Sequence, residues 1–190
     1  MAFWVVVGIS VALAGCVVPS VYPFYTEKEL VFDEALVGAW VKAPGNDTNT
    51  WTFEKSGEKG YKLVIADDKG PSEFSTHLFK LDDQMFMDCV PNQTVAGELP
   101  GIPSHYLLKV AQIQPTLKWS TLSYEWIFKY LDKNPGAIRH LVTHAKPDDT
   151  NSVYVILTAE TKELQKFIHK HLEDTNMFLD LDDMRKVSAK

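Results

Sequence analysis

The sequence predicts a mainly β fold with flanking helices, an α+β protein whose antiparallel meander closes, or nearly closes, into a barrel. Short stretches alternate apolar and polar residues, and segments rich in Gly, Pro, Asn and Asp separate them. Later in the chain, two stretches repeat their apolar residues with the period of a helix. The 190 residues are 45% hydrophobic and 23% charged, which is typical of one globular domain with a substantial core.

Alternation and turn residues define the predicted strands. Residues 51–54 and 61–65 alternate apolar and polar side chains, and turn-forming segments flank both stretches. Short connections join successive candidates, so we expect neighbouring strands to pair in sequence as an antiparallel meander. The further candidate strands cover residues 73–81, 84–90, 105–113, 116–122 and 153–157.

Two helices are predicted from a period of 3.6 residues. For the first, over residues 123–133, Ser123 is a suitable cap and Asn134-Pro135-Gly136 a stop signal. Its apolar face consists of Tyr124, Ile127, Phe128 and Leu131. The second is a C-terminal helix over residues 159–173, with one face formed by Leu164, Phe167, Ile168, His171 and Leu172. Residues 176–190 are charged, and we expect them to form a loose tail.

The N-terminal residues have the pattern of an export signal. Residues 2–15 are uncharged and apolar, and they are too short to cross a hydrocarbon core of about 30 Å as a helix. The stretch ends in Leu13-Ala14-Gly15-Cys16, which resembles the lipobox of bacterial lipoproteins. That resemblance implies cleavage of a signal peptide, residues 1–15, and lipid attachment to Cys16. The chain departs from the pattern because no Lys or Arg precedes the apolar stretch.

Membrane attachment through this lipid anchor is the first expected partnership of the chain. In enteric lipoproteins an Asp directly after the lipidated cysteine favours the inner membrane, whereas here Val17 follows. The resemblance therefore implies the cell envelope, on the periplasmic side of the outer membrane. Two alternatives stay open: cleavage without lipidation, and an ordinary buried strand or helix at the N-terminus.

The residues after Cys16 divide into a connecting segment and a body. Residues 16–35 contain Pro19 and Pro23, with Tyr22, Phe24 and Tyr25 close to them, so we expect a tether that docks onto the body. The body covers residues 36–175 as one domain, because no linker interrupts it. It opens with Leu36-Val37-Gly38-Ala39-Trp40, which resembles the Gly-x-Trp start of the first lipocalin strand.

The lipocalin resemblance implies an eight-stranded up-and-down barrel with a C-terminal helix packed outside it. The chain departs from that family in two respects. It places a helical segment before its last predicted strand, and it lacks paired cysteines. A curved sheet covered by helices therefore stays open as an alternative to a lipocalin-like barrel.

No residue pattern predicts catalysis or a cofactor. The chain contains no nucleophile elbow, phosphate loop or dinucleotide fingerprint, so we expect a protein that is not an enzyme. His140 and His144 could share a helix face or a strand face, but no further ligands accompany them, and we expect no metal site. The net charge is −6 and no basic cluster stands out, so we expect no nucleic-acid partner.

Buried positions are predicted for most aromatic residues and for the second cysteine. Cys89 lies in an apolar run and has no partner if Cys16 is acylated, so it is expected in the core. The aromatic residues either fill the core or line a cavity for an apolar ligand. The candidates for such a pocket are Trp40, Trp51, Phe53, Tyr61, Phe74, Phe86 and Trp119.

A long loop between two predicted strands is the remaining candidate for a functional segment. Residues 91–104 are rich in Pro and Gly, yet they include the apolar Val95, Leu99 and Ile102. We expect this loop to border the open end of the barrel. Its apolar residues pack either over the barrel mouth as a lid or against the outer wall as structure.

Two functional hypotheses follow from these observations. In the first, the chain is a lipid-anchored envelope protein whose barrel binds a small apolar ligand or lipid. In the second, it is a structural or interaction lipoprotein whose filled barrel contacts another envelope protein. An open pocket of about 300 Å³ or more would favour the first hypothesis, and a continuous core would favour the second.

Overall fold

The computed structural model describes residues 17–42, 46–92, 104–144 and 153–187, and of residues 46–48 and 144 it describes the backbone alone. It confirms a mainly β fold with helices, as the sequence predicts. The strands are β1 (Pro19–Ser20), β2 (Leu30–Val31), β3 (Gly38–Lys42), β4 (Asn46–Ser56), β5 (Gly60–Asp67), β6 (Gly70–Leu81), β7 (Gln84–Pro91), β8 (His105–Gln112), β9 (Thr116–Thr121), β10 (His140–His144), β11 (Val153–Leu157) and β12 (Asp182–Lys186). The helices are a 3-10 helix (Glu34–Leu36), α1 (Tyr124–Lys133) and α2 (Thr161–His171).

Eight strands form a closed antiparallel barrel. Strands β3 to β9 pair in sequence as the predicted meander, and β12 pairs with both β9 and β3 to close the circle. Tight turns help to keep the meander in register. At one of them, between β5 and β6, Gly70 has a φ of 112°, a conformation that favours glycine.

Strand β12 corrects the prediction of a loose tail over residues 176–190. Met184 lies directly opposite Lys42 of β3 and Leu117 of β9, and its side chain is buried in the barrel. The segment looks solvated in the sequence because Met184 is its single apolar residue among five. Its charged residues are accommodated because β12 provides the backbone pairing that two neighbouring edges require.

The N-terminal segment docks onto the outside of the barrel, as predicted for the tether. Strand β1 pairs with β8 on one side and, in parallel, with β11 on the other, and β2 pairs with β6. Strand β10 then pairs with β11 and forms the outer edge of this extension. Between β1 and β2, Phe24 is fully buried, so the docking includes a side chain in the core.

Both helices lie close to their predicted positions. Ser123 caps α1, since its Oγ accepts a hydrogen bond of 3.2 Å from the backbone N–H of Trp126. The buried residues of α1 are Ile127 and Leu131, and those of α2 are Leu164, Phe167 and Ile168. All five were placed on the apolar faces by their spacing in the sequence.

The barrel wall separates two apolar cores. Along β7, Met87 and Cys89 point into the barrel, whereas Phe86 points outward, because successive side chains of a strand face opposite sides. The inner core lies inside the barrel and consists mainly of residues from its eight strands. The outer core lies between the wall, the N-terminal segment, β11 and the helices.

One end of the barrel is closed by the 3-10 helix. Leu36 of this helix is fully buried, and its carbonyl oxygen accepts a hydrogen bond of 2.8 Å from Nε1 of Trp40. Lys186 extends across the same end, with its Nζ 5.3 Å from the centroid of Trp40 and 2.8 Å from the carbonyl oxygen of Ala35. Gly38 makes room for this lysine, because a Cβ there would approach Cε of Lys186 to 2.9 Å.

The opposite end is called the mouth here. Strands β3, β5, β7 and β9 end there, and β4, β6, β8 and β12 begin there, as their antiparallel registers require. The connection from β7 to β8, which includes the long predicted loop, therefore starts and finishes at the mouth. Residues 93–103 of the loop lie outside the described residues, so the place of the loop at an open end of the barrel stays a prediction.

Candidate functional site

The barrel interior contains most of the aromatic residues that the sequence suggested for a ligand pocket. Their burial follows from alternation along β3, β4, β5, β6 and β9, which places every second residue on the inner face. No more than 8% of the surface of any of them is exposed. The candidates inside the barrel are Trp40, Trp51, Phe53, Tyr61, Phe74 and Trp119.

Phe86 is the exception, and its assignment to the pocket is corrected. Its ring packs in the outer core, with centroid distances of 5.5 Å to Phe79 and 6.1 Å to Phe178. The prediction for Phe86 was wrong because residues 85–87 are all apolar. Their pattern does not show whether residue 86 or its two neighbours face the interior. Both faces of β7 are buried here, and alternation therefore has no polar side to mark it.

The inner aromatic residues form one continuous series of ring contacts. Trp51 stacks on Trp119 with a centroid distance of 4.6 Å, and it also contacts Phe53 at 6.3 Å. Phe53 meets Tyr61 edge to face, again at 6.3 Å. The interior is thus lined by large, rigid and apolar surfaces, which suits an apolar ligand and equally suits a filled core.

The inner cysteine is unsuited to nucleophilic chemistry. Burial raises the pKa of the Cys89 thiol to about 12, so the thiolate is scarce near neutral pH. The Oγ1 of Thr76 donates to Sγ of Cys89 over 3.6 Å inside the barrel. The sequence prediction that Cys89 is a buried core residue is confirmed.

Polar atoms inside the barrel are few, and most have partners. The hydroxyl of Tyr61 donates to the carbonyl oxygen of Asp33 at 3.1 Å and accepts from its N–H at 2.7 Å. Burial raises the pKa of Tyr61 to about 12, which keeps this hydroxyl protonated. Trp119 differs, because its Nε1 is buried without a hydrogen-bond partner.

Trp119 lies in the second half of β9, the strand that ends at the mouth, and its ring stacks on Trp51, which is directly opposite Trp40. In the register of β9 and β12, Trp119 is directly opposite Asp182, the first residue of β12. The carboxylate of Asp182 pairs with the ammonium group of Lys42, the last residue of β3. Asn49, near the start of β4, has a buried Oδ1 that also lacks a partner. Two unpaired polar atoms, on β9 and β4, therefore accompany this ion pair, and a third, Oδ1 of Asp183, belongs to the outer face of β12 because its neighbour Met184 faces the interior.

A second polar group lies on the outer face of the barrel, under the N-terminal segment. The carboxylate of Asp88, only 1% exposed, accepts from the backbone N–H of Phe24 at 3.0 Å and lies 2.8 Å from Nδ1 of His105. The hydroxyl of Tyr25 is 3.0 Å from Nδ1 of His77. Burial lowers the pKa of His77 and raises that of Tyr25 to about 12. These contacts fasten the segment to β6, β7 and β8.

A surface groove of about 570 Å³ lies between α1 and the chain that leads to β12. Trp126 and Tyr130 of α1 and Phe178 and Leu179 on the other side supply its apolar surface. The Nε1 of Trp126 is satisfied, since it donates to Asp174 over 2.8 Å. The groove is open to solvent along its length and offers no enclosed site.

The two histidines that the sequence offers as a pair, His140 and His144, lie on one strand. Residues 140–144 form strand β10 rather than a helix, and Nδ1 of His140 donates to the carbonyl oxygen of Ile138 at 2.9 Å. Among the described residues, no three His, Cys, Asp or Glu side chains converge as metal ligands would. In the same part of the chain, none of the helices has the length and hydropathy needed to span a membrane.

Four residues singled out in the sequence lie outside the described ranges. They are Cys16, Val95, Leu99 and Ile102. The lipidation of Cys16 and the two packing modes of the loop therefore stay predictions. Comparison with known protein families, curated proteins and solved structures finds no match to this chain.

Proposed function

We propose that the chain is a lipid-anchored envelope protein whose barrel binds a small apolar molecule or lipid. The observation that carries this proposal is the aromatic interior of a barrel that is closed at one end and contains an unpaired, buried N–H, that of Trp119. Apolar walls with a few directed polar groups are the usual composition of sites for small molecules. The polar end of a ligand bound there would lie next to Trp119.

The proposed anchor is the lipid on Cys16. The first described residue, Val17, already packs against the inner core, and the segment that follows is fastened to the barrel by the contacts of Asp88 and His77. A lipid on the preceding cysteine would therefore hold the barrel close to the membrane surface. We place it on the periplasmic side of the outer membrane, from the lipobox resemblance and Val17.

The anchor is tested by metabolic labelling with a fatty acid. The wild-type protein should incorporate the label and fractionate with membranes, and Cys16→Ser should lose both properties. Cys89→Ser is the matched control, because it removes the other thiol of the chain and should keep the label. Acyl labelling that persists in Cys16→Ser would reject the proposed anchor.

Ligand binding is tested by native mass spectrometry of the protein purified from membranes. A small apolar molecule should remain bound, or the protein should take up a hydrophobic fluorescent probe in one-to-one proportion. The matched variant is Trp51→Ala, which removes one ring of the stack with Trp119 and should weaken the retention. Absence of any bound molecule, together with no uptake of the probe, would contradict the proposal.

The alternative is a structural or interaction protein with a filled barrel. It is favoured by strand β10, at the outer edge of the described sheet, where Leu141 and Val142 are 52% and 48% exposed. An edge strand with exposed aliphatic side chains offers backbone groups for pairing with another protein. The same mass spectrum separates the two functions, because a filled barrel carries no small molecule.

A further inference from the structure

We infer that the ligand of the barrel has an uncharged polar head, an alcohol or an amide, and that Nε1 of Trp119 donates a hydrogen bond to it. The inference rests on the proposed function, since it specifies the chemistry of the molecule that the barrel would hold. It follows from the unpaired polar atoms of Trp119 and Asn49 and from the charges around them.

The first step concerns the hydrogen-bonding capacity of Trp119. Its side chain is only 8% exposed, and its Nε1 is buried with no acceptor within reach. Buried N–H groups in folded proteins nearly always have an acceptor, because they lose their hydrogen bonds to water on burial. The indole of Trp40, on the inner face of β3, follows this rule, because its Nε1 donates to the carbonyl oxygen of Leu36. A missing acceptor at Trp119 therefore points to one that a ligand supplies.

The second step concerns where this N–H lies. Leu117 and Trp119 face the interior from β9, and Trp119 is two residues from the end of that strand at the mouth. Its ring face is occupied by the stack with Trp51, so a hydrogen-bond partner must approach the ring edge that carries Nε1. A ligand with its polar end at Nε1 of Trp119 and its apolar part against the inner aromatic residues satisfies this arrangement.

The third step concerns the charge of the head. Lys42 and Asp182 at the rim already form an ion pair, so neither is left to balance a charged ligand. The described residues of the inner core are otherwise uncharged, and a charged group placed among them would lose its hydration without compensation. A carboxylate or an ammonium head at this rim would compete with Asp182 or Lys42 for its partner. An uncharged head leaves the ion pair intact.

The fourth step concerns which protein groups donate a hydrogen bond to the ligand and which accept one from it. Trp119 offers a donor, whereas the buried and unpaired Oδ1 of Asn49 offers an acceptor. Asn49 lies in the first part of β4, which begins at the mouth, and Trp119 lies in the second half of β9, which ends there. Hydroxyl and primary amide groups both donate and accept, so either one matches the two unpaired atoms. Ethers and esters match Trp119 alone, because they only accept.

The experiment compares matched dodecyl compounds by native mass spectrometry of the full-length protein released from detergent. The probes are dodecanamide, dodecanol, dodecanoate, dodecylamine and dodecane. We expect the amide and the alcohol to bind more tightly than the carboxylate and the amine. Equal or tighter binding of dodecanoate or dodecylamine would overturn the inference.

Trp119→Phe tests the proposed donor, because phenylalanine keeps an aromatic ring and removes the N–H. Binding of dodecanamide relative to dodecane should weaken roughly 2- to 10-fold, the usual effect of one hydrogen bond. The matched control is Trp126→Phe, whose indole lies outside the barrel and bonds to Asp174. It should leave this ratio unchanged.

The outcomes separate this inference from the proposed function. If no dodecyl compound binds, the proposed function fails, and the inference fails with it. If the compounds bind without preference for an uncharged head, or if Trp119→Phe keeps the ratio of the wild type, the inference alone fails. Should Trp119→Phe fold poorly, the order of the five probes on the wild-type protein still decides it.

Discussion

At the scale of single residues, the group under the N-terminal segment is the clearest case of burial acting on a titratable side chain. His77 contacts the hydroxyl of Tyr25, and burial is the largest influence on its pKa. The carboxylates of Asp88 and Glu27 favour its charged form, whereas His105 opposes it. Burial outweighs the carboxylates, so the pKa of His77 lies below its ordinary value of 6.5.

This shift predicts that acidification destabilises the fold. Because the pKa of His77 is lower in the folded state, the unfolded chain binds more protons just below pH 6.5. The free energy of unfolding should therefore fall as the pH decreases from about 7 to about 5, by less than about 1.4 kcal/mol per pH unit for this one group. His171, whose pKa is also lowered by burial, adds to the fall with the same sign. Urea unfolding at several pH values measures the slope.

Two variants test whether His77 causes this dependence of the free energy of unfolding on pH. His77→Gln removes the titration and should flatten the dependence, while leaving the share of His171. His169→Gln is the control, because His169 is largely exposed on α2, and it should reproduce the slope of the wild type. A slope that is the same in all three proteins would contradict the role assigned to His77.

The sequence predicted burial of single residues well where a strand has one polar face. Trp51 and Phe53 alternate with polar neighbours, and both lie inside the barrel as expected. Asp88 had no such signal, since its partners Phe24 and His105 are 64 and 17 positions away. The unpaired Nε1 of Trp119 could not be predicted either, because it depends on which neighbours fail to supply an acceptor.

At the scale of elements, strand β12 closes the barrel but could not be predicted from its own sequence. Periodicity identified the helices α1 and α2 within two residues at most ends, because each has a full apolar face. Strand β12 has a single buried apolar residue, Met184, so no periodic signal was available. Its place is determined by the free edges of β3 and β9, which are far apart in sequence.

We predict that removal of β12 abolishes cooperative folding. A chain truncated after Leu181 would leave β3 and β9 with unpaired backbone groups and would open the inner core to water. Thermal unfolding followed by circular dichroism should lose its sigmoidal transition, and the protein should aggregate. Truncation after Val187 is the matched control, because it keeps every residue of β12. A cooperative, monomeric protein after the shorter truncation would show that β12 is dispensable.

At the scale of the whole molecule, the two cores share one wall. Strands β6, β7 and β8 contribute residues to the inner core on one face and to the outer core on the other. The N-terminal segment and the helices therefore cover strands that already enclose the barrel. Neither core can lose its packing without exposing a face of the same three strands, and this couples their stabilities.

This coupling predicts that each of two variants, at neighbouring positions of β7, unfolds in a single transition. Phe86→Ala should lower the free energy of unfolding by about 3–5 kcal/mol through the outer core, and Met87→Ala by about 2–5 kcal/mol through the inner core. Both side chains are fully buried. Val142→Ala, at an exposed position of β10, is the control, and it should lower the free energy of unfolding by less than about 0.5 kcal/mol.

Urea unfolding followed by both tryptophan fluorescence and circular dichroism tests the coupling. Trp51 and Trp119 report on the inner core, while Trp126 reports on the outer one. In each variant the two signals should move together to lower urea concentration, because the shared wall transmits the loss of packing to both sides. If the helical signal of Phe86→Ala disappeared before the fluorescence of the barrel changed, the two cores would be independent units, and the wall would be no more than a boundary between them.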